Sequence, residues 1–531
     1  MASPPRRTQR LGLRLLAGAD SAFNRLYGWR GNPLYQSGTI AIALLLVLIV
    51  TGLWLIFFYR VGAPYESVAR ITADPWIGRW VRGTHRYASD LAMIAIVIHA
   101  FRMFAQGRSW GPRALAWMTG VVMTGLVLVV GLTGYVMVWD GFGYLVAREG
   151  ARMMDSLPFL SEPISRAFTG NQDLLTPFFF LNLFAHIAIP LGIALVLWLH
   201  VSKVARPVLL PPRKVTAMMV GALVALSIIW PVGMQPAANP FVLDRTVVID
   251  VFFGFWLPLV RPFSGGLALL ILTVIAVTIF LLPVITRRHG PDVPPASVVD
   301  EDICVGCEQC AKDCPYDAIA MIEREPGGRS VLVARVDPDL CVSCGICAGS
   351  CAPMAVGPTG RTGRNQLDQV REFMAVAGDG AGVRGRHVVV CCERGAQSWG
   401  SKLADDGALL YPVDCSGSVH TSVIELLVRG GSAGVLVMSC PPRDCWNREG
   451  PTWLMERMYE EREAELKERV DRQRVRVAHA GAGDSSVAVA ALRDFIVDTA
   501  VLDSATAEPL AEVEMECLTA DALGGAAETP S

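Results

Sequence analysis

Through the first half of this chain apolar residues run in blocks instead of alternating with polar ones. Six blocks, at roughly 37–59, 83–101, 114–138, 178–201, 216–233 and 264–285, are apolar and long enough to predict membrane-crossing helices. The fifth is the shortest, and "VVIDVFFGFWLPLV" (247–260) predicts a further interfacial or re-entrant helix. Ahead of them "PPRRTQRLGLRLL" carries an arginine pair like that of an export signal, yet no apolar core follows it until about residue 39. Residues 1–35 therefore read as a retained basic amphipathic segment on the membrane surface. The membrane region, 36–288, ends at a Pro-rich linker, 289–299, "HGPDVPPAS". Beyond it lie a cysteine-rich unit (300–358), a Gly/Arg-rich break (359–385) and a soluble pattern (386–500). The last has strand candidates "HVVVC" (387–391) and "AGVLVMSC" (433–440) and a charged helix from about 452 to 470. The tail, 501–531, is Ala/Glu-rich and too poor in large apolar residues to order itself. The expected fold is multidomain: an all-α membrane bundle, a small α+β unit and an α/β domain.

Composition agrees, with 52% hydrophobic residues among 531, and a formal charge of −2 argues against a nucleic-acid partner. The placement of charge is more informative. The loop after the second block holds Arg102, Arg108 and Arg113, the loop after the fourth holds Lys203, Arg206, Arg213 and Lys214, and neither has an acid. With the basic N-terminus and Arg287/Arg288, the positive-inside rule assigns these segments to the cytoplasm of a bacterial cytoplasmic membrane, and with them everything after residue 288. Metal-ligating residues divide sharply. All fourteen cysteines lie at or after Cys304, and four of the eight histidines lie between positions 85 and 200.

Those four histidines form two pairs on one interval: His85 and His99 in the second block, His186 and His200 in the fourth, each pair fourteen residues apart. Fourteen residues rise about 21 Å along a helix and return to nearly the same face. In an up-down bundle the two helices run parallel, which sets His85 against His186 and His99 against His200. The first and third blocks carry Gly38 and Gly52, Gly120 and Gly134, again fourteen apart, at the matching levels. Two stacked bis-imidazole sites suit two b-type haems, with glycines clearing room for the macrocycle. Interhelical hydrogen bonding by histidine and simple glycine packing are the plainer alternatives.

Residues 30–285 resemble the cytochrome b of quinol-oxidising cytochrome bc complexes. "RGTH" and "HAFR" place Arg82 and Arg102 three residues from a ligand, where the family's arginines pair with haem propionates; an interfacial anchor is the other reading. "IVTGLWLIFFY", "GYVMVWD", "HIAIP", "ANPF" and "SGGLALL" match further family segments. Two departures stand out. Val138 replaces a family proline, and the family's Pro-Glu-Trp-Tyr quinol-site segment corresponds to "TVVID" (246–250), leaving Asp250 or Asp244 as its only carboxylate candidates, with a surface role the alternative.

"CVGCEQCAKDCP" and "CVSCGICAGSCAP" are two C-x2-C-x2-C-x3-C runs, the two-cluster ferredoxin pattern, in which the fourth cysteine ligates the other cluster. That resemblance implies one [4Fe–4S] cluster on Cys304, Cys307, Cys310 and Cys351, and a second on Cys341, Cys344, Cys347 and Cys314; zinc is the alternative. Further on, Cys391, Cys392, Cys415, Cys440 and Cys445 fall at strand ends and loops in a pattern that resembles the iron–sulfur delta subunit of methyl-viologen-reducing hydrogenase. The resemblance implies a [2Fe–2S] cluster there. The first two cysteines are adjacent where the family spaces them by two, so inert buried thiols stay open as a reading.

Together these expectations describe a multi-pass electron-transfer protein that links a cytoplasmic redox protein or complex to the quinone/quinol pool, in contact with membrane lipid and compatible with a homodimer. The alternative is a non-catalytic anchor and wire in a hydrogenase-, heterodisulfide-reductase- or dehydrogenase-like complex.

Overall fold

The computed structural model describes residues 7–158, 163–168, 176–202, 207–239, 247–286, 294–325, 330–377, 382–460 and 462–506. Lys203, Arg206, Asp244, Arg287, Arg288 and the tail beyond 506 lie outside the described residues. The chain forms two compact units, one of residues Met1–Cys344 with Arg443–Arg448, the other of Gly345–Pro442 with Glu449–Ser531.

In the first unit α1 (Arg7–Gly31) is a helix kinked at Gly28. Then come α2 (Ser37–Ile56), α3 (Pro64–Ala73), α4 (Gly78–Ala105), α5 (Ala114–Val138), α6 (Gly141–Met154) and α7 (Thr176–Ser202). Among the described residues four helices, α2, α4, α5 and α7, are long and apolar enough to cross a membrane. The fifth and sixth expected spans are shorter, α8 (Arg213–Ile229) with 17 residues and α11 (Gly265–Phe280) with 16. Between them the re-entrant candidate is two single-turn helices, α9 (Val251–Gly254) and α10 (Leu257–Val260). Helix α2 packs along α4, and α5 along α7. Small residues line the α2–α4 contact: Ala41, Ala88, Ala92 and Ala95 are buried around Leu44 and Leu223, which lets the backbones approach. After α12 (Leu282–Ile285) and β1 (Ser297–Val299), α13 (Gln309–Asp313) leads to an antiparallel ribbon of β2 (Ile319–Glu323) and β3 (Leu332–Val336), with Ile319 opposite Val336.

The second unit opens with α14 (Ile346–Ser350), β4 (Val356–Pro358) and α15 (Gly363–Val376), whose N-terminus carries a Thr362–Asn365 capping box. Its centre is a parallel sheet ordered β6-β5-β7-β8, from β5 (His387–Cys392), β6 (Leu409–Val413), β7 (Gly434–Ser439) and β8 (Val475–His479). Helices α16 (Glu393–Asp405), α17 (Thr421–Arg429), α18 (Gly450–Tyr459) and α19 (Ser485–Thr506) complete it. Both faces of β5 and β7 are buried, which is why they read as unbroken apolar runs. The charged helix expected to reach residue 470 stops at Tyr459. Leu466 and Val470 turn into the core instead, and the carbonyls of Ala464 and Glu465 accept from the Thr421 hydroxyl.

Candidate functional site

The four membrane histidines are arranged in the two expected pairs. The His85 and His186 rings face each other with centroids 6.5 Å apart. Two imidazoles ligating one ion from opposite sides, at about 2 Å each, leave their centres about 6 Å apart. His200 likewise lies in the neighbourhood of His99.

Each ring is seated by the neighbouring helix. A Cβ on Gly52 would lie 3.3 Å from His85, on Gly38 2.9 Å from His99, on Gly134 3.0 Å from His186 and on Gly120 3.3 Å from His200. Each glycine admits an imidazole edge, since a helix carrying a side chain at that position would push the ring away. Beside three of the glycines sits a hydroxyl in reach of Nδ1: Thr51 to His85 at 2.8 Å, Thr133 to His186 at 3.0 Å and Thr119 to His200 at 3.1 Å. These hydroxyls already donate to their own helix, Thr51 to the Val47 carbonyl at 2.7 Å, Thr133 to Val130 at 2.8 Å and Thr119 to Leu115 at 2.8 Å. A hydroxyl has one proton, so its oxygen must accept from Nδ1–H, and Nε2 keeps the lone pair that a metal requires. The residues present thus fit two bis-histidine haems.

The two flanking arginines are engaged by the protein itself. Arg82 donates to the Val232 carbonyl at 2.8 Å and the Gly233 carbonyl at 3.2 Å. Arg102 makes a two-pronged pair with Asp20 at 2.9 and 3.0 Å and a further one with Asp444, over the Tyr35 ring. At the His85/His186 level lies a buried polar group that includes Asp250. Its carboxylate takes the Tyr135 hydroxyl at 2.6 Å, the Arg86 guanidinium and the N–H groups of Phe252 and Phe253; Arg86 also pairs with Asp90. Asp250 is therefore an interior anion, and the surface reading fails for it.

The ferredoxin-like cysteines sit in loops whose backbone repeats at an interval of 37 residues. Left-handed φ occurs at Gly306 (68°) and Ser343 (58°), at Glu308 (65°) and Gly345 (79°), and at Asp317 (50°) and Met354 (60°). Four non-glycine residues tolerate this strained region because the turns aim N–H groups inward, the arrangement of an anion nest. Ala318 N–H points at the Cys314 sulfur (3.3 Å) and its counterpart Ala355 at that of Cys351 (3.2 Å). The amides of Ser297 and Ser343 both lie 3.4 Å from the Cys341 sulfur. Burial pushes the Cys314 thiol up, the Tyr316 and Ala318 N–H groups oppose this, and neighbouring Cys341 adds to it. The fourth cysteine of the first run thus lies beside the first of the second run. N–H-lined thiols on tight loops fit the iron–sulfur clusters that the C-x2-C-x2-C-x3-C runs imply.

In the second unit, adjacency of Cys391 and Cys392 on β5 is resolved by the pleat, which sends neighbours to opposite faces. Cys391 is fully buried among Val389, Trp399, Leu403, Leu436 and Phe495, and burial pushes its thiol up to about 12. It is a core residue. Cys392, Cys415 and Cys440 stand at or just beyond the carboxyl ends of β5, β6 and β7, the edge where parallel sheets place their ligands. The Ser416 hydroxyl donates to that of Ser439 at 2.9 Å, tying the Cys415 loop to the end of β7. Cys445 belongs to the first unit, where its carbonyl accepts from Arg108.

Sequence reading missed the threonines at the imidazoles and also Arg457. That guanidinium is fully buried and donates to Ser350 (3.0 Å) and to the Gly417 carbonyl (2.7 Å). It was hidden among the surface charges of α18. The adjacent His420 caps α17, accepting from Ser422 N–H at 3.1 Å, and burial followed by the Arg457 charge lowers its pKa to about 4.

Three family models match this chain: cytochrome b/b6/petB over residues 30–206, the 4Fe-4S dicluster domain over 303–355, and the delta subunit of methyl-viologen-reducing hydrogenase over 390–502. Among solved structures, one described as "Hyperthermophilic respiratory Complex III" is 17% identical, covering 47% of this chain and 75% of that one with a TM-score of 0.37.

Proposed function

We propose, for a chain that joins cytochrome b-like, dicluster ferredoxin-like and hydrogenase-delta-like regions, that it carries electrons from a cytoplasmic redox partner to quinone in a bacterial cytoplasmic membrane. It is a membrane electron-transfer protein; the direction, the partner and the quinone are the proposed part. The observation that carries the reading is the seating of four imidazoles, each opposite a glycine and three on threonine acceptors.

His85 with His186 and His99 with His200 would hold two haems b, and Cys304, Cys307, Cys310, Cys351 and Cys341, Cys344, Cys347, Cys314 two [4Fe–4S] clusters. These groups supply reversible one-electron transfer when bound. The chain's own part is positional. The threonines fix the Nδ1–H tautomer, the glycines let the rings stand at fixed height, and loop N–H groups stabilise charge on the cysteine sulfurs. Near the His85/His186 level, Arg86, Asp90, Tyr135 and Asp250 form a polar group in apolar surroundings. We place quinone reduction beside it, since two electrons and two protons must meet there to make quinol. Cys392, Cys415 and Cys440 are the candidates for a further [2Fe–2S] cluster.

One observation favours the wire reading: every partner of Asp250 is a donor already in place, which leaves a fully bonded carboxylate. Purified protein with its cofactors, reduced by dithionite and given a soluble quinone analogue, separates the two. Sustained quinol formation supports the proposal. Haem reduction without quinone turnover overturns it in favour of the wire.

A further inference from the structure

We infer, on the reading just given, that electrons pass from the sulfur-bearing segments to the His99/His200 level across the α4–α5 connection, with Asp444 and Tyr316 as positioning residues. The last turn of α4, one turn past His99, and the connection after it carry Arg102, Gln106, Arg108 and Arg113 without an acid. As a membrane-topology signal these arginines need only face water. Instead each reaches a distant stretch of the same unit that carries a cysteine, Cys445 or Cys314.

Arg102, with a side chain only 3% exposed, pairs with Asp444, and Gln106 donates to the same carboxylate at 2.9 Å. Arg108 donates to the Cys445 carbonyl, and Arg113 to the Trp446 carbonyl at 3.4 Å. Arg113 also lies over the Tyr316 ring, 4.7 Å from its centroid, and donates to its hydroxyl. Tyr316 is two residues past Cys314 and half-buried, and Arg448 reaches back to the Pro315 carbonyl at 3.4 Å. Two cysteine-bearing stretches, 314–316 and 444–446, are therefore held on the part of the membrane domain next to a haem-level histidine. Charge-assisted contacts fix geometry as well as contributing energy, and electron transfer is sensitive to that geometry.

The test uses the full-length protein with cofactors, mixed rapidly with dithionite while the iron–sulfur bleach and the haem band are followed separately. Asp444→Asn and Tyr316→Phe should keep haem, iron and sulfide content and the rate of cluster bleaching, yet slow haem reduction by about tenfold or more. Asp444→Glu should restore it. His186→Leu, which disturbs the other level, should leave the remaining haem reduced at the original rate, whereas His99→Leu should not. Unchanged haem reduction in both Asp444→Asn and Tyr316→Phe overturns the inference, as does fast reduction in His99→Leu with slow reduction in His186→Leu. Protein lacking haem absorption before any donor is added overturns the underlying di-haem reading instead, and this inference falls with it.

Discussion

At the scale of single residues, the informative unit is a hydroxyl followed by glycine. Thr51–Gly52, Thr119–Gly120 and Thr133–Gly134 each give one imidazole both its hydrogen-bond acceptor and its space. Removing the hydroxyl leaves Nδ1–H with one acceptor fewer, His186 keeping the Val130 carbonyl at 3.0 Å, and weakens the control of ring orientation. For Thr51→Val and Thr133→Val together, haem affinity at the His85/His186 level should fall by about 10- to 100-fold, the range seen when outer partners of metal-bound histidines are lost. A haem titration of the apoprotein measures this, and Thr124→Val is the control, since Thr124 bonds only along its own helix to the Gly120 carbonyl at 2.8 Å. Equal haem affinity in the test and control variants would refute the role. The histidines and glycines were legible from their spacing, because helix packing alone gives imidazoles no reason to recur every fourteen residues on two apolar helices. The threonines were not, because a helical threonine usually bonds its own backbone, as these also do. Yet Ser37, Thr51, Thr119 and Thr133 precede all four glycines, a fourfold coincidence that could have exposed them.

At the scale of elements, the sequence pattern was most reliable where burial is one-sided or complete. Strands β5 and β7 appear within a residue or two of their expected limits, since short apolar runs rich in valine suit a sheet core. The charged stretch after Tyr459 misled because Leu466 and Val470 sit at spacings compatible with a helix, while the carbonyls of Ala464 and Glu465 just before them serve the Thr421 hydroxyl. The paired cysteines on β5 were ambiguous for a related reason: composition does not reveal which face a strand residue takes, and the neighbouring helices do. That assignment makes a sharp prediction. Cys392→Ser should lower iron and acid-labile sulfide in the hydrogenase-delta-like region, whereas Cys391→Ala should leave both unchanged and only reduce stability by about 1 kcal/mol, as for a small buried side chain. Iron analysis beside thermal unfolding distinguishes them, and cluster loss in Cys391→Ala would reverse the assignment.

At the scale of the whole molecule, two stacked histidine pairs are more than a connection to one membrane face would need. Their fourteen-residue interval corresponds to about 21 Å along the helices. On the proposed topology the His99/His200 pair stands near the cytoplasmic face, and quinone is reduced near the His85/His186 pair on the far side. An electron moving between them travels from the negative towards the positive side of an energised membrane. A full crossing is worth about 2.3 kcal/mol per 100 mV, so a path covering about two-thirds of the hydrocarbon thickness gains about 1.5 kcal/mol, or roughly tenfold in the equilibrium between the levels. In sealed vesicles holding the protein with its iron–sulfur side outward and a negative-outside potential, collapsing the potential should slow quinone reduction by an external donor. The His85/His186 haem should become more oxidised in the steady state at the same moment. A rate and haem level that ignore the potential would place the quinone beside the His99/His200 pair, and the second haem would then need a different purpose.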